Sequence, residues 1–170
     1  MPMDVESVRI VSPGPAELGS LVSLWSQLVA GHRIYGTTLL VEENTNTARE
    51  WLARLHVVDG IRIARVDGAD VGFVTFELEV DRFERSARTG IVHNLFVRDA
   101  YREHGIGTAL LERAESALAE QGAERVRLDV MEGNEQAAEF YEKRGYVPHR
   151  VRFVKPIGET DTPNVSDGES

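Results

Sequence analysis

The 170-residue chain contains no cysteine. That absence removes a disulfide framework, cysteine-ligated zinc, iron–sulfur clusters and a thiol nucleophile together. Lysine is scarce as well: Lys143 and Lys155 stand alone, so the cationic chemistry of the chain is arginine chemistry. No stretch approaches the roughly 20 consecutive apolar residues of a membrane helix. Met1-Pro2-Met3-Asp4-Val5-Glu6 is too acidic and too polar for a secretory signal. The sequence therefore reads as a soluble, cytoplasmic protein with no membrane partner. Positive charge is in deficit, with a formal net charge of −9. A nucleic-acid partner is excluded on that ground, because neutralising phosphates takes clustered cations. An acidic, lysine-poor composition suits a high-salt cytoplasm, and codon bias toward arginine produces it equally well.

What is present is ordinary globular material, 42% hydrophobic and 28% charged, enough for one core. Residues 1–157 read as a single domain, and residues 158–170, rich in Gly, Glu, Asp, Ser, Thr and Pro, as an acidic disordered tail. Val8 to Val11 is a short β-type run stopped by Pro13 and Pro15. Leu18, Leu21, Val22, Trp25, Leu28 and Val29 then recur at helical spacing, and Gly31 closes that helix. A second helix is predicted from about Thr45 to His56, after a long polar and aromatic connection from His32 to Glu43. Ile61–Val66 and Val71–Val80 flank the turn Asp67-Gly68-Ala69-Asp70 as a hairpin. Ile91 to Val97 reads as a central strand, Ile106 to Leu118 as a helix ended by Gly122, and Val126 to Val130 as a strand. Asn134 to Lys143 reads as a short helix, and Tyr146 to Lys155 as a last strand or pair of strands. The resulting β-α-α-β-β-β-α-β-α-β order implies an α/β fold on a sheet of mixed direction.

The strongest local signal is Arg102-Glu103-His104-Gly105-Ile106-Gly107 between the central strand and a helix. Two glycines at a helix start let backbone approach a ligand, and the N–H groups of the first turn attract an anion. Arg98, Arg102 and His104 supply local positive charge, so the segment reads as a pyrophosphate cradle. A nucleoside triphosphate loop would need a lysine that Gly107-Thr108 lacks. A Rossmann dinucleotide site would need a third glycine where Leu110 stands, with Asp129 as its ribose ligand.

With Ile91 to Val97 before the cradle and Asn134-x-x-Ala137-x-x-Phe140-Tyr141-x-x-x-Gly145-Tyr146 after it, the ordered set resembles the GNAT family of acyl-CoA-dependent N-acetyltransferases, most closely from Gly90 to Val147. His93 departs from it, standing where many relatives carry glutamate. The resemblance implies the GNAT fold and acetyl transfer from acetyl-CoA (coenzyme A) to an amine. It implies that Leu95, Phe96 and Val97 pair with the pantetheine arm through their main chain. The pyrophosphate would lie on Arg102, Glu103, His104, Gly105, Ile106, Gly107 and Thr108. Asn134 would bond the cofactor arm, and Tyr141 would sit near the thioester sulfur as the acid that protonates the leaving thiolate.

The amine must lose a proton before attack, and His93 is the candidate relay, with Glu77, Glu79 or water as alternatives. Strand alternation sends His93 and Asn94 to opposite faces, so only one of them faces the acceptor. The other histidines show no metal-binding spacing, and no metal is expected. The acceptor, a small molecule or a protein amino group, stays open. Glu42, Glu43, Glu77, Glu79, Asp81 and Glu84 favour a cationic amine; Arg33, Arg82, Arg85 and Arg88 favour a carboxylate-bearing one. A non-catalytic acyl-CoA-binding or sensing module on the same fold is the rival reading. A homodimer is compatible with the sequence, which defines no interface.

Overall fold

A computed structural model describes residues 7–158. The hexapeptide read against a secretory signal, and all but the first residue of the acidic tail, lie outside the described residues. The elements are β1 (Val8–Val11), α1 (Leu18–Gly31), α2 (Thr45–Val57), β2 (Ile61–Val66), β3 (Ala69–Leu78), β4 (Thr89–Val97), α3 (Ile106–Glu120), β5 (Arg125–Arg127) and α4 (Glu135–Glu142). Pro15 opens a short 3-10 turn ahead of α1, where Glu17 accepts the Gly14 N–H at 2.8 Å. Contacts divide the chain into two compact units, residues 1–134 and 135–170.

The sheet of the first unit runs β1-β2-β3-β4-β5, antiparallel except for the parallel β4–β5 pair. This mixed sheet is the one expected, and its sequential antiparallel order is not the doubly wound parallel sheet of a Rossmann domain. From Val71 to Phe76 every residue of β3 is buried, which requires cover on both faces. On one face the apolar stripes of α1 (Leu21, Leu24, Trp25, Leu28) and α2 (Ala48, Leu52, Leu55) join Ile61, Ile63, Phe73 and Phe96 in one cluster. α3 packs on the sheet through Ile106, Leu110, Leu111, Ala114 and Leu118, which lie outside that cluster.

Two registers slip. One slip lies between β2 and β3 at Ala64/Arg65, the other between β3 and β4 at Thr75/Phe76. In the second, Thr75 pairs with Asn94 but Phe76 with Val92, so His93 is an extra residue. It forms a β-bulge. The β4–β5 ladder covers only Thr89 to Ile91, after which β4 continues alone on that side for six residues.

In the second unit α4 ends in a Schellman cap. Gly145, at φ 91°, donates to Glu142 O at 3.1 Å, and Tyr146 N–H donates to Tyr141 O at 3.1 Å. The left-handed conformation is why glycine stands there. The cap brings the Tyr141 and Tyr146 rings to 5.7 Å, and Phe140 lies edge-on to Tyr141 at 5.2 Å.

The strand or strands expected over Tyr146 to Lys155 are not formed: the described residues after α4 join no sheet, and β5 is three residues long. The physical reason is lack of burial. Val147, Val151, Phe153 and Ile157 keep the period of a strand, yet they are 79%, 69%, 93% and 88% exposed, so nothing fixes a register.

Candidate active site

The bulge decides what β4 presents. The alternation rule that separates His93 from Asn94 fails here, because the extra residue resets the period and both side chains line one cleft beside α2. His93 Nε2 lies 3.0 Å from Glu77 Oε1 on β3, and its ring meets Trp51 edge-on at 5.3 Å. Arg54 of α2 grips the same carboxylate twice, Nη1 to Oε2 at 2.8 Å and Nη2 to Oε1 at 3.2 Å. Hydrogen bonds from Arg54 hold the Glu77 carboxyl below its ordinary value, against partial desolvation and with help from His93. A carboxylate only accepts, so Nε2 carries the hydrogen and the lone pair of the neutral ring lies on Nδ1. Beside it, Asn94 Oδ1 accepts the hydroxyl of fully buried Thr75 at 2.9 Å.

The cleft holds about 320 Å³, walled by Trp25, Leu39, Ala48 and Trp51. Its polar atoms come from Asn44, Thr47, His93 and Asn94. Of the acids expected to draw a cation, Glu77 is paired with Arg54, Glu79 with Arg127 and Asp81 with Arg85. Arg85 and Arg88 line a separate cleft of about 170 Å³ with Glu79, Asp81 and Phe83.

The open edge of β4 follows from hydrogen-bond parity. Arg98 N–H bonds Val71 O at 2.8 Å, and with Phe73 opposite Phe96 in the same register the bonded pairs step by two. Phe96 thus turns its main chain to β3 and its side chain to the core. Leu95 and Val97 turn theirs to the side that β5 has left. Arg102 Nε donates to Val97 O at 2.9 Å, and its Nη2 pairs with Asp99 at 3.1 Å.

Beyond β4 a 3-10 turn (Asp99–Tyr101) leads to Glu103 at φ 64° and Gly105 at φ 81°. A left-handed Glu is sparsely populated backbone, strain of the sort that collects at functional sites. The first i to i−4 bond of α3 is Ala109 N–H to Gly105 O at 3.0 Å, so the Ile106 and Gly107 amides precede the helical ladder. A Cβ at Gly105 would meet nothing within 4 Å. The Arg98 Nε–H is buried without a hydrogen-bond partner. A left-handed turn, open space above it and early helical amides together suit an anion.

Thr108 follows in the same helical turn, and Asn134 stands just before α4 with its N–H on Met131 O at 3.0 Å. Tyr141, in the second unit, is partly buried, and that burial pushes its phenol up to about 12. No cluster of three or more His, Asp or Glu side chains able to hold a metal occurs among the described residues. No helix of the described residues is long and apolar enough to cross a membrane. Arg54, Thr75 and the two tryptophans were not legible as site residues in the sequence. Arg54 reads there as an exposed helix arginine, and nothing at His93, neither glycine nor proline, announces a bulge.

The chain is 35% identical over 100 residues to an uncharacterized protein of Bacillus subtilis, covering 59% of this chain and 57% of that one. It is 34% identical over 95 residues to an N-alpha-acetyltransferase of Sulfurisphaera tokodaii, covering 52% and 57%. It thus spans little more than half the length of these relatives. Its fold is like that of an aminoglycoside N-acetyltransferase solved in complex with CoA, with TM-score 0.70, 18% identity, and cover of 88% of this chain and 94% of that one. The Acetyltransferase (GNAT) family matches residues 28–146, reaching upstream of the motifs at Gly90 to Val147 into α1. With the match running from α1 through the bulged β4 and the α3 turn to the Schellman cap, the chain belongs to the GNAT acetyltransferase family.

Proposed function

We propose that the protein transfers the acetyl group of acetyl-CoA to a primary amine, of a small molecule or a protein. The observation that carries this reading is the open edge of β4 at Leu95 and Val97, running directly into the left-handed turn at the start of α3. An extended thiol arm suits the first as an added strand, and a pyrophosphate suits the second. Family membership and the fold support the same reading. The main-chain amides of Glu103 to Gly107, with Thr108, would hold the pyrophosphate, Arg98, Arg102 and His104 supplying charge. Phe96 contributes as the core anchor between Leu95 and Val97, and Asn134 would bond the arm.

Acetyl-CoA, when bound, supplies an acetyl group activated as a thioester. Around it, His93 takes the proton of the acceptor ammonium on Nδ1, while Glu77, itself held by Arg54, accepts Nε2–H and so fixes the tautomer. An outward main-chain N–H of β4, Leu95 by parity, donates to the carbonyl oxygen as negative charge grows. With the cosubstrate bound, the amine nitrogen would bond the carbonyl carbon as the C–S bond breaks, and the proton that this nitrogen then sheds would end on the sulfur. By the family resemblance, Tyr141 would donate to that departing sulfur. A phenol at about 12 is a weak acid beside a thiol of about 8.5. Its contribution is therefore a hydrogen bond that strengthens as the thiolate forms, and the proton follows late.

Thermal unfolding with acetyl-CoA, NAD and ATP side by side tests the reading. Acetyl-CoA at 100 times its dissociation constant adds about 2.7 kcal/mol, several degrees in midpoint for a domain this size. A shift with NAD and none with acetyl-CoA would favour the dinucleotide reading. A shift with acetyl-CoA but no thiol release with any amine would leave a binding module.

Tyr141→Phe should lower kcat about 100-fold with the KM for acetyl-CoA unchanged. The same substitution has a stability signature. The folded pKa, about 12, exceeds the unfolded value of about 10, so the neutral phenol stabilises the fold below pH 10 and that contribution is lost as pH climbs toward 12. Urea unfolding at pH 9 and 11 should show the loss in the parent and a smaller one in Tyr141→Phe.

A further inference from the structure

The cleft beside His93 carries information about the acceptor that family membership does not. None of its lining residues is Asp, Glu, Lys or Arg. Glu77, the carboxylate that contacts His93, is paired by two hydrogen bonds from Arg54. Among the lining residues a second ammonium would find no anion and a carboxylate no arginine or lysine, Arg85 and Arg88 lining the other cleft.

The polar capacity of the cleft is small. Asn94 Oδ1 is held by Thr75 and Asn44 Nδ2 by Leu40 O at 2.7 Å, which leaves the Asn94 amide donor, the Asn44 amide acceptor, the Thr47 hydroxyl, the His93 ring and the two indole N–H groups. The rest is two indoles, Leu39 and Ala48. A volume of about 320 Å³ lies at the small end of ligand clefts, room for one ring system and a short chain. Indole faces take flat apolar groups, and they also attract the ammonium before it yields its proton.

We propose that this cleft binds a primary amine carried by a short chain on a flat, uncharged, apolar body, and discriminates against polyamines and amino acids. The proposal rests on the acetyltransferase reading for turnover, but the binding it describes can be read without turnover. Both tryptophans of the chain line the cleft, so intrinsic fluorescence reports its occupancy.

Phenethylamine should quench that fluorescence saturably, while spermidine and glutamate should not. With acetyl-CoA present, kcat/KM for phenethylamine should exceed that for either competitor by about tenfold or more, the scale of one apolar pocket contact. Leu39→Asp, at a half-exposed position that tolerates the change, sets a carboxylate in the wall. It should raise the KM for phenethylamine about tenfold and lower that for 1,4-diaminobutane, with the KM for acetyl-CoA unmoved. Spermidine or glutamate binding more tightly than phenethylamine, exclusive acetylation of peptide N-termini, or a Leu39→Asp variant with unchanged preference would each overturn the proposal. Saturable quenching by phenethylamine with no thiol release would instead leave the cleft assignment standing and count against acetyl transfer.

Discussion

Gly107→Trp is expected to abolish acetyl-CoA binding while leaving a folded protein. Gly107 lies in the first turn of α3, two residues past the left-handed Gly105. An indole there would cover the amides that precede the helical ladder, removing both the approach of the phosphates and their donors. The backbone at this position is helical, where tryptophan has a better propensity than glycine by a few tenths of a kcal/mol. Gly105→Ala would confuse the test, because φ 81° strains any side chain by about 1–2 kcal/mol. Calorimetric titration of acetyl-CoA should show no heat of binding with Gly107→Trp, and the unliganded melting point should stay within a few degrees of the parent. Ordinary acetyl-CoA affinity in this variant would move the pyrophosphate elsewhere.

His93→Ala should lower kcat/KM for the amine by about 100- to 1000-fold at neutral pH, the usual scale of a positioned base. Glu77→Gln should lower the same rate as well, because an amide no longer dictates which ring nitrogen carries hydrogen. A Glu77→Gln rate equal to that of the parent would show that His93 acts without its partner, or does not act.

Much of the frame was legible because it rests on periodicity. α1, α2 and α3 show their buried stripes in the spacing of leucine, tryptophan and alanine, and β2–β3 shows its turn at Asp67-Gly68. The left-handed turn ahead of α3 was legible because glycines mark the start of that helix. What the sequence hid were features decided between elements. The bulge depends on how β4 meets β3, and a rule of strict alternation has no means to register it. The pairing of Arg54 with Glu77 joins a helix to a strand across 23 positions. Three of the acids counted in the sequence as free attraction, Glu77, Glu79 and Asp81, are matched by arginines in space. The final strand failed in the other direction: Val147, Val151 and Phe153 have the right period, but period alone does not supply a surface to bury them.

The bulge at His93 makes one property of the site depend on counting rather than on chemistry. Delete His93 or Asn94 and the strand can run straight, the apolar side chains on either side keeping their places against β3. The fold would survive the edit better than the candidate site, since the cleft would lose one of the two side chains that β4 gives it. A surviving chain of that kind would look, in a comparison of aligned sequences, like a relative missing one unimportant position. In this strand a gap is a more consequential mutation than most substitutions.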